Sequence, residues 1–362
     1  MTNAKHSNNV YTSSASAHHH AAAHNHVHHS SLERKANKVL KKAFKKAVTA
    51  VLICFTLFSA VPLTGFDTHG NHFTPITTSQ NVKQGQIWNR VRSKFRFKKS
   101  LKNSGQSSTK SNSRIEKFVK QYHNNASAVQ KFANASPYIY YIIEELEKRD
   151  MPGELALLPM LESSYQPTAT SPTGAAGLWQ FTKGTGRHFN LKQNDWYDAR
   201  RDIQASTHAA LNYLEYLHKK FHGDWMLALA AYNAGEGTVQ KAISHKKRAG
   251  GPVSYWSLSL SKETQAYVPK LLAMVEVVEH PNLHKISLPR IDNRPYFVEL
   301  DLKQALPLKQ VAKLAELDVK DVKCLNAAYK KGATPPNGHQ HLLLPKDNAT
   351  TFLQNLGKDV LA

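Results

Sequence analysis

The sequence predicts a mainly α-helical protein that carries a small β-α-α-β module toward its C-terminal end. Three observations lead there. From Arg114 onward, apolar residues recur at helical spacing in segments separated by Gly and Pro. No alternating strand pattern occurs before Tyr296. Beyond it, two strand-like runs, Tyr296–Leu300 and His341–Leu344, flank two short amphipathic segments, Leu308–Leu317 and Val319–Ala328. Length and composition permit this architecture: 362 residues with 41% hydrophobic side chains can bury a core.

Residues 1–46 read as a disordered head, with a His-rich tract from His18 to His29 and a basic stretch Arg34–Lys46. No carboxylate or cysteine completes a metal site with those histidines. Residues 47–66 carry no charge, and about 20 such residues cross a bilayer core. The basic flank before this segment and Asp67 after it place the N-terminus in the cytoplasm and export the rest. A cleaved signal peptide is the alternative, although Phe58-Ser59-Ala60 is a poor cleavage site. Cys54 lies within the apolar run, without the small residue expected before a lipidated cysteine. Residues 67–112 read as a basic disordered linker lying near an anionic membrane surface.

Charge separates these segments from the remainder of the chain. The chain has a formal net charge of +22. Residues 1–112 hold 17 Lys and Arg against the two acids Glu33 and Asp67, a surplus of +15, which leaves +7 for residues 113–362. The surplus excludes an acidic, chaperone-like protein. The modest remainder argues against a nucleic-acid enzyme. Two cysteines cannot make a disulfide framework or a structural zinc site. Cys324 reads as buried and inert, with no intramolecular disulfide.

Residues 113–290 form the predicted helical domain. Ile115, Phe118, Val119 and Tyr122 begin it, followed by Pro137–Lys148, Glu154–Ser163, Asp202–Phe221, Trp225–Tyr232 and Glu263–Glu279. Residues 291–362 form the predicted second module.

Chemistry concentrates in four places. Glu162 ends an otherwise uncharged run, Leu155 to Leu161. A carboxyl there is partly desolvated and stays protonated near neutral pH, as a general acid must. Next comes Ser171-Pro172-Thr173-Gly174-Ala175-Ala176-Gly177-Leu178-Trp179-Gln180-Phe181. Its glycines permit close approach of a polymer to the backbone, and Gln180 both donates and accepts hydrogen bonds. Trp179 fits a core position better than a sugar platform. Tyr232-Asn233 precedes the helix-ending Gly235. Tyr267 stands in a helix opened by Glu263-Thr264, facing either a cleft or the core.

Glu162-Ser163-Ser164-Tyr165, Gly177-Leu178-Trp179-Gln180-Phe181 and Ala231-Tyr232-Asn233-Ala234-Gly235 resemble, in order and spacing, the signature motifs of the Slt-type lytic transglycosylases. Glu263-Thr264 with Tyr267-Val268 resembles a fourth. The resemblance covers roughly Arg114 to Leu356. It implies a goose-type lysozyme-like helical catalytic domain with a peptidoglycan groove. It implies Glu162 as the single catalytic acid/base, acting on the bond between N-acetylmuramic acid and N-acetylglucosamine and leaving a 1,6-anhydro ring. Ser163, Gly177, Gln180, Tyr232, Asn233 and Tyr267 match substrate-binding positions.

No metal and no cofactor is implied. The implied partners are peptidoglycan glycan strands, the membrane through the N-terminal segment and other cell-wall enzymes, with no nucleic acid. The implied location is periplasmic, in a bacterial cell envelope, membrane-anchored.

Ordinary glycosidases use two carboxylates. Asp195, Asp198 and Glu263 are the candidates for a second one, although Asp198 or Asp202 also fits a helix N-terminus. A lysozyme-like muramidase is therefore one rival reading. A non-catalytic peptidoglycan-binding scaffold is another. The C-terminal module resembles a LysM module, yet Tyr296–Leu302 lacks the glycine turn expected after its first strand. Glycan binding and bracing of the catalytic domain both stay open for it.

Overall fold

A computed structural model describes residues 86–103, 109–123, 125–302, 304–337 and 341–361. The His-rich head and the apolar segment 47–66 lie outside the described residues. Among the described residues, no helix is long and apolar enough to cross a membrane. The chain divides into two compact units. Thr78–Leu353 forms one. Of the other, Met1–Thr77 with Gln354–Ala362, residues 354–361 are described and are helical.

The first unit begins where the sequence predicts a linker, and that expectation is corrected. Ile87–Ser93 and Phe97–Asn103 are helices. Ile87, Trp88, Val91 and Phe97 are buried in the core. Ile87, Trp88 and Val91 make one helical stripe, while Arg90 turns outward to grip Glu147 at 2.6 and 3.2 Å. The basic side chains sit on the other face of the same helix and hide the stripe from a reading by composition. Trp88 Nε1 donates to Pro289 O at 2.8 Å, and Ile87 N to Ile291 O at 3.0 Å. Buried Glu154 accepts from Arg96 N and Phe97 N at 2.6 Å each, so it caps the second helix from outside. Burial pushes its carboxyl up to about 7 against those bonds.

The remaining helices run Thr109–Val119, Ala126–Gln130, Ile139–Lys148, Leu158–Ser163, Lys183–His188, Ile203–Lys220, Trp225–Ala234, Glu236–Arg248 and Lys262–Glu279. Their starts follow from side chains. Asp202 accepts from Ala205 N at 2.6 Å, Asp224 from Met226 N and Leu227 N at 2.8 and 3.0 Å, and Ser261 from Thr264 N at 3.1 Å. The segment expected as one helix, Glu154–Ser163, is split. Gly153–Leu157 is a 3-10 turn and the α-helix starts at Leu158. Pro159 has no N–H to bond back across the junction, so it fits only the first turn of a new helix.

In the second module, Phe297–Asp301 pairs antiparallel with His341–Pro345, Phe297 opposite Pro345 and Asp301 opposite His341. Helices Leu308–Ala315 and Val319–Leu325 lie between them in sequence. Leu342, Leu343 and Leu344 are fully buried. Asn326 serves the second strand as a backbone would: its amide donates to Leu343 O at 2.8 Å and accepts from Leu343 N at 2.9 Å. Cys324, expected to be buried, is half-buried, and partial burial still raises its thiol pKa.

Candidate active site

Glu162 stands one residue from the end of the helix Leu158–Ser163. The chain then reverses through two consecutive left-handed residues, Ser164 at φ 53° and Tyr165 at φ 57°. The Tyr165 ring is buried and its hydroxyl donates to Ala156 O, which ties the reversal to the core. The reversal leaves Glu162 facing a cavity of about 550 Å³. Gln180, Tyr232, Asn233, Glu263 and Tyr267 line the same cavity.

Burial pushes the Glu162 carboxyl up to about 7. The Tyr267 hydroxyl, which donates to Glu162 Oε1, works against the shift, and the charge of Glu263 adds to it. No lysine or arginine pairs with Glu162 among the described residues. Burial also raises the pKa values of Tyr232 and Tyr267 well above the ordinary phenol, so both stay neutral hydrogen-bond donors.

Tyr232 Oη donates to Trp179 O at 2.9 Å, fixing the backbone beside Gln180. Gln180 itself holds φ 50°, with its Nε2 on Gly177 O at 2.8 Å. Asn233 accepts from Thr264 Oγ1 at 2.8 Å and donates to Glu263 Oε1 at 3.4 Å. The two later motifs are thereby locked to each other across the cavity.

Two residues expected to bind substrate do not line the cavity. Ser163 Oγ lies 2.9 Å from Leu178 O and 3.2 Å from Pro159 O, and stitches the Glu162 helix to the Gly-rich loop. Gly177 takes φ +86°, and a Cβ there would come within 1.8 Å of Arg200 O. Its glycine is required by a neighbouring backbone rather than by a ligand. Trp179 is fully buried as expected and donates from Nε1 to Thr207 Oγ1 at 3.0 Å.

Of the three candidates for a second carboxylate, only Glu263 reaches the cavity. Asp195 is exposed at a loop tip. Asp198 is buried against Arg200, 3.0 Å from Nε and 2.7 Å from Nη2. Burial would raise its pKa, but the Arg200 bonds outweigh that and hold it below the usual carboxylate range. Asp202 behaves alike, with His341 as its main counterweight.

Lining residues that the sequence reading missed include Tyr213 and Lys270, while Thr173 and Phe181 lie in the glycine-containing loop it singled out. Lys270 was findable, because it lies one helical turn beyond Tyr267. Tyr213 was not, since its helix carries no motif. One group with metal-ligand geometry occurs among the described residues, Glu276, Glu279 and His280. It lies outside the cavity lining, and Lys98 Nζ already sits 3.4 and 3.0 Å from its carboxylates.

A helical domain whose cavity sets the desolvated Glu162 carboxyl among two neutral phenols and an amide pair matches known proteins in its sequence. Residues 139–252 match the transglycosylase SLT domain family, and residues 296–359 match the LysM-like domain of lytic transglycosylase MltD. The chain belongs to the SLT-domain lytic transglycosylase family.

The membrane-bound lytic murein transglycosylase D of Escherichia coli (strain K12) is 40% identical over 252 residues, 69% of this chain and 56% of that protein. The putative tributyltin chloride resistance protein of Alteromonas sp. (strain M-1) is 40% identical over 189 residues, 52% of this chain and 89% of that protein. The solved 70 kDa soluble lytic transglycosylase of Escherichia coli aligns at 23% identity over 39% of this chain and 24% of that one, with a TM-score of 0.31. The chain thus spans little more than half the length of transglycosylase D.

Proposed function

We propose that the protein cleaves the β-1,4 bond between N-acetylmuramic acid and N-acetylglucosamine in peptidoglycan and leaves 1,6-anhydro ends. One observation carries the reading. Glu162 lines the cavity with its carboxyl pushed up to about 7 by burial, and no lysine or arginine pairs with it among the described residues. A group of that pKa gives and takes a proton near neutral pH.

Protonated Glu162 donates to the glycosidic oxygen as the C1–O bond breaks. The departing sugar keeps that proton as a hydroxyl. The carboxylate left behind then takes the proton of the muramyl C6 hydroxyl, whose oxygen closes on C1. Atoms balance without water, and Glu162 ends protonated as it began. The Tyr267 hydroxyl supports the carboxylate between the two transfers. Gln180 and Asn233, set at their backbone positions by the bonds described, hold the glycan. Ser163 and Gly177 act by shaping the site.

Glu263 favours one second reading. It lines the cavity, and a water held by its carboxylate would turn the reaction into hydrolysis. The two readings differ in product mass. Digestion of purified peptidoglycan by the full chain, read by mass spectrometry of the muropeptides, should give products lighter by one water than those of a hydrolase. Reducing ends would reject the anhydro reading and turn attention to Glu263.

The wider assignment proposed is action in cell-wall remodelling within a bacterial envelope, with residues 113–290 joined by the helices from Ile87 as the catalytic part and 291–362 as the LysM-like part. Tethering through residues 47–66 and cooperation with other cell-wall enzymes belong to the same proposal. A fragment starting at residue 113 would strip away Ile87, Trp88, Val91 and Phe97 from the core, so the full chain is the form to assay.

A further inference from the structure

One wall of the cavity is a loop that is held from behind. Ser171, Thr173, Ala175, Gln180 and Phe181 face the cavity. The loop contains isolated bridges, Thr170 with Ala176 and Ala176 with Phe181, and three residues at positive φ: Gly174, Gly177 and Gln180. For a glutamine, φ 50° costs conformational energy and persists only where surrounding contacts over-determine it.

Arg200 supplies those contacts. Its Nη1 donates to Gly174 O at 2.8 Å and to Phe181 O at 3.1 Å, bracketing the strained stretch. Its own carbonyl is the surface on which Gly177 is seated. The neighbouring Arg201 donates to Ala169 O at 3.1 Å, just upstream.

Arg200 is buried and is aimed by Asp198. The segment bearing both is fastened in turn to the C-terminal module. Asp198 N donates to Ala328 O, and Lys330 N to Trp196 O, each at 2.9 Å. Lys330 Nζ donates to Asn194 O at 2.8 Å. The Tyr197 ring packs against Tyr329, and its hydroxyl donates to Asp202 at 2.7 Å. His341 Nε2 lies 2.9 Å from the same Asp202 oxygen. Contacts therefore run without a gap from the module, through residues 194–202, to the cavity wall.

We propose that Arg200 is the positioning residue of this wall and that the C-terminal module holds Arg200 in place, so that the module governs glycan binding without touching glycan. This rests on the reaction proposed above only for its substrate. A guanidinium is required rather than a charge. Five donors in a planar fork meet Asp198 and two loop carbonyls at once, which an ammonium cannot do.

The test uses the full chain in four forms: wild type, Arg200→Lys, His341→Leu and the double variant. Glycan-strand turnover is measured in each, and strand affinity is measured in a Glu162→Gln background. Arg200→Lys should raise KM and Kd about tenfold while kcat falls less than about threefold, since the wall is displaced and Glu162 is not. The alkaline limb of the pH profile should stay where wild type has it, which a general loosening of the domain would not preserve.

His341→Leu should raise KM about threefold in the same direction, and the double variant should be no worse than Arg200→Lys alone, as expected for two links of one chain of contacts. If Arg200→Lys does not fold, Asp198→Asn, which leaves the guanidinium but no longer aims it, carries the same KM prediction. KM and Kd within twofold of wild type in the folded Arg200 or Asp198 variant would overturn the positioning role. Additive effects, or a His341→Leu protein with a lowered Tm and wild-type KM, would overturn the role of the module. Wild-type protein that releases no anhydro ends, with strand affinity still weakened by Arg200→Lys, would sink the reaction and leave this inference standing.

Discussion

The floor of the cavity and the joint behind its wall both contain desolvated acids, Glu162 half-buried and Asp198 and Asp202 buried, and they treat them in opposite ways. Glu162 has two tyrosines and an acid around it, and its pKa goes up to about 7. Asp198 and Asp202 have Arg200 and His341, and their pKa values go down. Burial pushes all three upward. The partner decides the sign. A buried acid with a cation is committed to its charge and can only hold structure. A buried acid without one is kept near the point of exchanging its proton, which is useful for catalysis and costs stability. The contrast answers, for Asp198 and Asp202, the question their sequence leaves open.

The largest effect expected from this contrast is Glu162→Gln. It should reduce turnover by about 10³-fold or more, within the range for loss of a general acid/base, with Tm at or above the wild-type value. Release of muropeptides from purified wall material reads it, and near wild-type turnover would break the contrast at its centre.

Next is Asp202→Ala, which removes a helix cap and strands His341. It should cost about 3 kcal/mol in urea unfolding, since it breaks a largely buried pair. An unchanged unfolding midpoint would show that the joint is not structural.

The joint should also respond to pH. The folded pKa of His341 is raised above its ordinary 6.5, with Asp202 as the main cause, so its stabilisation is complete below that value and is lost as pH rises through the higher folded pKa. Asp202 is lowered from its ordinary 3.8, so its stabilisation is present above that value and is lost as pH falls through the lower folded pKa. Stability of the wild type should therefore decline on the alkaline side of 6.5, and His341→Gln should flatten that decline in a series of melting curves.

Two smaller shifts sharpen the other side. Activity should fall as pH rises through about 7, where Glu162 loses its proton. Tyr267 stabilises the charged form, so Tyr267→Phe should move that limb to higher pH. Glu263 opposes the charged form, so Glu263→Gln should move it slightly to lower pH, with turnover retained. Loss of turnover in Glu263→Gln comparable to that in Glu162→Gln would mean two working carboxylates, and hence hydrolysis.

Much of this was legible in the residues themselves. The uncharged run before Glu162 announces a desolvated acid, and periodicity placed the helices Ile139–Lys148, Ile203–Lys220, Trp225–Ala234 and Lys262–Glu279 and the β-α-α-β order of the tail, but not the helices Lys183–His188, Glu236–Arg248 and Lys346–Leu361. Other features could not be read. Ser163 and Gly177 sit inside signature motifs, but their partners, Leu178 O and Arg200 O, are backbone atoms that no side-chain pattern reveals. The helix Ile87–Ser93 was hidden because its buried stripe is interleaved with Arg90 and Arg92, whose heads are bound by Glu147 and Val278 O far along the chain. The bracing role of Asp198 depends on Ala328, far along the chain, and such pairings have no local signal.

The bond from Trp88 to Pro289 spans 201 residues. The earliest helix among the described residues is thus completed by one of the latest segments of the helical domain. On a ribosome, Trp88 emerges long before its partner exists. Nearly the whole helical domain must be out before its core can be sealed, which makes closure a late and slow event. Until then the indole and its neighbours Ile87 and Val91 are open apolar surface, the kind that chaperones bind and proteases cut near.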